Sequence, residues 1–94
     1  MIKHVVCFKL KKGEDIDKAV EILNSMNGKI GVIESLSAHK DFLKSERSYD
    51  IILEVVLKDK TALEDYQNDK YHCEVVKSHM HKVRESSVAV DYEF

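Results

Sequence analysis

Proline and tryptophan are absent from these 94 residues, and glycine and cysteine are scarce, with three and two copies. Each shortage removes a class of function. Gly13, Gly28 and Gly31 never cluster as GxGxxG or GxxxxGK, so there is no glycine-rich loop to cradle phosphate. Without tryptophan there is no indole to stack on a flat substrate. Cys7 and Cys73 lie far apart with no CxxC spacing, which fits two small buried hydrophobes in a reducing compartment better than a disulfide. No run approaches the roughly 20 apolar residues of a membrane span. The amino terminus, MIKHVVCFKLKK, is broken by charge and does not read as a signal peptide. A cytoplasmic protein with no membrane association is expected. Charge of one sign is also missing. Seventeen acidic residues face fifteen basic ones, for a net charge of −2, and the lone basic cluster of Lys9, Lys11 and Lys12 is followed by Glu14 and Asp15. Nucleic acid is therefore not an expected partner.

What is present is patterned apolar sequence, enough for a single domain over residues 1–94. Residues 2–10 alternate as a strand, with Ile2, His4, Val6, Phe8 and Leu10 on one face. Ile16, Ala19, Val20 and Leu23 make a helical stripe after the acidic start Glu14, Asp15 and Asp17, and Gly28 is a plausible stop. Residues 32–39 read as a second strand. The stretch 49–57, YDIILEVVL, reads as a third, with Tyr49, Ile51, Leu53, Val55 and Leu57 wholly apolar on one face. Its other face, Asp50, Ile52, Glu54 and Val56, is half apolar, which points to a partner molecule rather than water. Thr61 and Glu64 have capping-box spacing and open a short helix carrying Leu63 and Tyr66; Asn68-Asp69-Lys70 interrupts it. A further helix runs from about Tyr71 to Arg84, and residues 87–93 close the chain as a strand. The order βαββαβ predicts a ferredoxin-like α+β fold, a four-stranded antiparallel sheet with helices on one face.

On the last helix His72, Val75, Val76, His79 and Val83 share a stripe at offsets 0, 3, 4, 7 and 11, with Met80 alongside. His4, Tyr66 and His72 are thus all expected in the layer between sheet and helices. Buried polar atoms need partners, so these groups either bond to one another and to backbone or line a cavity holding a ligand. An apolar ligand there would meet Val6, Phe8, Leu36, Leu53, Val75 and Val76. A metal site is not expected. His79 and His81 point in different directions, while His72 and His79 sit about 10 Å apart along the helix.

The segments IKHVVCFKL (2–10), SERSYDIIL (45–53), YQNDKYH (66–72) and VAVDYE (88–93) resemble the stress-responsive dimeric α/β-barrel (Dabb) family in order along nearly the whole chain. The resemblance implies a homodimer in which two open sheet faces meet as a barrel, with Val5, Cys7, Ile52, Val56, Val88 and Val90 at the contact. It implies no cofactor. One plant cyclase of the family closes a linear polyketide ring with a tyrosine and a histidine on the helix after the third strand and a histidine on the first. By position these match Tyr66, His72 and His4. Two departures stand out. Many relatives carry His-Pro shortly before the position of His72, where this chain has Asp69-Lys70. Helix one offers only Ala19, Val20 and Leu23 where the cyclase pocket is aromatic, which weighs against a polyketide substrate. The expected function is a stress-associated domain binding a small apolar molecule. The alternative is a cofactor-independent cyclase, lyase or isomerase, in which His72 abstracts a proton beside a carbonyl, Tyr66 donates a hydrogen bond to the enolate and His4 orients or shares the proton.

Overall fold

The computed structural model describes residues 1–94. Strands β1 (Ile2–Leu10), β2 (Ile33–Lys40), β3 (Ile51–Leu57) and β4 (Arg84–Glu93) form one antiparallel sheet in the order β2-β3-β1-β4. Helices α1 (Ile16–Asn24) and α2 (Lys60–Asn68) cover one face, together with a π-helical turn, His72–Lys77, that runs straight into α3 (Ser78–Val83). This is the ferredoxin-like arrangement. No helix is long and apolar enough to cross a membrane.

Period-2 alternation decides which residues enter the core. Ile51, Leu53, Val55 and Leu57 of β3 are all buried, as are Ile2, His4 and Leu10 of β1 and Leu36 and Ala38 of β2. Leu23 and Met26 from α1 and its following turn, and Val76, Met80 and Val83 from the last helical segment, close over them. Asp15 caps α1, its carboxylate accepting from the Lys18 N–H at 3.0 Å. That helix ends at Asn24, before Gly28, which instead takes φ +80° in the turns leading to β2. The cap of α2 is Asp59, accepting from the Ala62 N–H at 2.8 Å, so the Thr61–Glu64 box is not the start. Asp59 lies two residues upstream of Thr61 and, already extended, satisfies the orphan amide first.

Asp50 also departs from the alternation. Its carboxylate is buried and accepts from the Leu10 N–H at 2.8 Å, with Lys9 Nζ at 3.6 Å. It satisfies an amide at the point where the β1–β4 register shifts between Lys9 and Leu10. The strand consequently begins at Ile51 rather than Tyr49. Of the two free cysteines, Cys7 is half-buried and Cys73 is exposed, so neither is the fully buried hydrophobe expected.

No helix covers the second sheet face. There Val5, Cys7, Ile52 and Val56 are half-buried, while Val88, Val90, Tyr92 and Phe94 of the β4 end are 45–64 % exposed. A row of valines and aromatics left to water is apolar area that a partner surface would cover.

Candidate functional site

A cavity of about 230 Å³ lies between the β1–β4 side of the sheet and the helices. Val6, Phe8, Leu23, Leu53, Val76 and Met80 give it an apolar body, and His4, Tyr66 and His72 line it too. The volume is that of about eight waters at liquid density. It falls below the roughly 300 Å³ at which drug-sized sites begin. The space suits only a small molecule.

Three local features bring the polar groups together. Asp69 leaves α2 with extended backbone (ψ 138°), which ends that helix, and its carboxylate accepts from the His72 N–H at 3.2 Å. Asp69 thereby starts the next helical segment. The His72 Nδ1 lies 2.9 Å from the Tyr66 carbonyl oxygen. A carbonyl can only accept, so Nδ1 carries the proton and, in the neutral ring, Nε2 is left as a bare acceptor. The imidazole is further held over the Tyr66 ring, centroids 4.3 Å apart at 32°. Burial lowers the His72 pKa from 6.5; the charges of Lys77 and His4 lower it further, while the bond to the Tyr66 carbonyl and the Asp69 charge oppose them. Burial thus favours the neutral ring.

Tyr66 is fully buried, and its hydroxyl is among the few buried polar atoms with no hydrogen-bond partner. Burial pushes its phenol above the usual range, so it stays protonated and can donate. An unpartnered buried hydroxyl costs about 1–3 kcal/mol. His4 approaches Tyr66 edge-on, centroids 5.8 Å apart, and its Nδ1 pairs with the Asp91 carboxylate directly across from it on β4. The Asp91 carboxylate can only accept, so it orients the His4 ring with Nδ1–H toward β4.

Of the six apolar residues expected around a ligand, Val6, Phe8, Leu53 and Val76 line the cavity; Leu36 and Val75 do not. Leu36 is buried on β2, beneath α1, on the far side of β3. Val75 is exposed because of the π turn. Its i→i+5 bonding widens the turn, and the buried positions are His72, Val76, Met80 and Val83, with Lys77 and His79 half-buried. Half-buried Lys77 and exposed His81 also line the cavity, and Arg84, which opens β4 where the sequence places the helix end, joins them. Sequence reasoning missed these three and Asp91. Asp91 carried a signal: it shares the parity of Ser87 and Ala89 on β4, opposite the helix-side residues of β1. The π turn left none in the apolar spacing. No three His, Cys, Asp or Glu side chains are grouped to hold a metal ion.

The family model of the stress responsive A/B barrel domain matches residues 2–94. The chain belongs to the stress responsive A/B barrel domain (Dabb) family. A comparison with curated proteins gives no match. Among solved structures, the Dabb chain resembles a dimeric ferredoxin-like protein of unknown function from Bacteroides fragilis (TM-score 0.86, 23 % identity, covering 99 % of this chain and 95 % of that one). It likewise resembles a dimeric ferredoxin-like protein from Thermobifida fusca (TM-score 0.87, 16 % identity, 99 % and 90 % covered). A third similar structure is hydroxynitrile lyase from Passiflora edulis (TM-score 0.83, 11 % identity, 97 % and 90 % covered). At these identities the likeness is one of fold.

Proposed function

We propose that this Dabb domain is a homodimer that binds a small molecule in the cavity between its sheet and helices. The observation that carries the binding reading is the Tyr66 hydroxyl, fully buried, unpartnered and belonging to a residue of the cavity wall. Evolution tolerates such an unsatisfied donor where an occupant supplies the acceptor. The apolar walls take the body of that occupant, and the polar atom it turns to Tyr66 is an acceptor. A small ketone or aldehyde has that form. Titration of the ¹⁵N-labelled protein with cyclohexanone tests the reading. Saturable shifts at Tyr66, His72 and Val76 support it, and none at millimolar ketone contradicts it.

The dimer follows from the open sheet face, where Val88, Val90, Tyr92 and Phe94 are exposed beside Val5, Ile52 and Val56. The structures from Bacteroides fragilis and Thermobifida fusca are of dimeric proteins, which supports it. Light scattering at micromolar concentration should return twice the 10.9 kDa chain mass. Val90→Lys should return the single-chain mass. A wild-type protein of 10.9 kDa would rule the dimer out.

A second function is favoured by the tautomer of His72. Nδ1–H is committed to the Tyr66 carbonyl, so the neutral ring presents a bare Nε2 as base beside a phenol kept protonated. With a bound carbonyl compound, Nε2 removes the adjacent C–H proton and the Tyr66 O–H donates to the developing enolate oxygen. No cofactor enters these steps. A similar fold serves the hydroxynitrile lyase of Passiflora edulis, which shows that this architecture can house an enzyme. Deuterium exchange into cyclohexanone in D₂O is the test. Acid–base groups of this kind contribute about 10²–10⁴-fold; His72→Asn, which can keep an N–H toward the carbonyl but has no base, should return exchange to the buffer rate. Equal exchange by both proteins contradicts proton transfer while leaving the binding site standing.

A further inference from the structure

The protein carries more acid than base, yet no Asp or Glu lines the cavity. Lys77, His81 and Arg84 do, together with Ser87 and Gln67. The two carboxylates that approach the site are already engaged: Asp91 on His4 Nδ1, Asp69 on the His72 backbone N–H. Lys77 Nζ donates to the Gln67 carbonyl at 3.0 Å and Arg84 Nη1 to Ser87 Oγ at 3.1 Å. Each bond fixes its side chain while using one donor of several, and neither cation has a carboxylate partner. The charge of Lys77 also reaches His72, where it helps hold the imidazole neutral.

Two cations without counter-charge, bound in place at a partly apolar cavity, make a site for an anion. We propose that the cavity takes a small monocarboxylate, its anionic group held by Lys77 and Arg84 and its apolar body lying on Leu53, Val76 and Met80. The guanidinium of Arg84 offers a planar fork that matches a carboxylate, and Lys77 adds a point charge. The 230 Å³ volume limits the ligand to a short chain or single ring. Where the ligand also bears a carbonyl, the class is that of small oxo acids.

This inference rests on the cavity being a ligand site, and one experiment separates the two. Hexanoate and hexanamide have the same shape and differ in charge. Calorimetric or NMR titration of the whole protein should show hexanoate binding about tenfold or more tightly. Raising salt from 50 mM to 500 mM should weaken hexanoate binding and leave hexanamide unchanged. Lys77→Gln and Arg84→Gln should each bring the two affinities together, and Arg84→Lys should restore only part of the preference because it lacks the fork. If hexanamide binds as tightly as hexanoate in the wild type, the anion proposal falls and the binding site stands. If neither binds at millimolar concentration, both fall. The wild-type salt series decides the matter even where a variant does not fold.

Discussion

The two halves of the layer between sheet and helices are built from the same strands yet filled differently. Under α1, residues of β2 and β3 (Leu36, Ala38, Val55, Leu57) meet Leu23, Met26 and Ile30, and the packing is apolar and closed. Toward β1 and β4 the helix-side positions of β4 are Ser87, Ala89 and Asp91, small or polar, and β4 has no helix laid over it. Those short side chains leave the space that becomes the cavity, and His4, Tyr66 and His72 fall at its walls. One half secures the fold; the other is loosened where chemistry or binding can occur.

Substitutions on either side sharpen that contrast. In the closed half, Leu57→Ala removes a fully buried side chain and should cost about 2–5 kcal/mol in urea unfolding at fixed protein concentration. A loss under 1 kcal/mol would mean this half is as yielding as the other. The open half should show itself next in the pH dependence. His72 has its pKa lowered from 6.5 by the fold, so below pH 6.5 the unfolded chain takes up a proton that the folded chain refuses. Stability is therefore lost as pH falls through 6.5, and the loss ends once His72 is charged in the folded state too. His72→Asn should remove that component of the slope; an unchanged slope would place its origin elsewhere.

Smaller still is the effect expected of Tyr66→Phe. It deletes an unpartnered hydroxyl from a fully buried ring, and should leave stability unchanged or raise it by about 1 kcal/mol. A fall in melting temperature would show that the hydroxyl is structurally bonded. Asp91→Asn, on a side chain 44 % exposed, should cost under about 1 kcal/mol despite its pairing with His4.

The contrast between the halves also marks what the sequence could disclose. Period-2 and period-3.6 spacing located the strands and helices that bury a continuous face, and strand parity alone placed His4 inward; β4, none of whose residues is buried, begins at Arg84 rather than at 87. The positions of Tyr66 and His72 followed from the same stripes. Val75 and Lys77 did not, because the π turn changes the period within a single helix and no breaker residue marks it; Arg84 lies on β4 and His81 on an exposed position, and apolar spacing marks neither. Asp50 escaped alternation for a different reason: its carboxylate answers an amide from another strand, Leu10, and such a partner is set by tertiary register. Asp91 shares the helix-side parity of β4, but its partner His4 is fixed only once β4 is placed against β1. Apolar spacing is local, whereas polar partnership depends on the assembled sheet.

The imidazole nitrogens of His72, recorded by ¹⁵N NMR at neutral pH with and without cyclohexanone, bear most directly on the central claim. The predicted spectrum has the proton on Nδ1 and a bare Nε2 whose signal moves as the ketone is added. A proton on Nε2, or a His72 signal indifferent to millimolar ketone, would contradict the account.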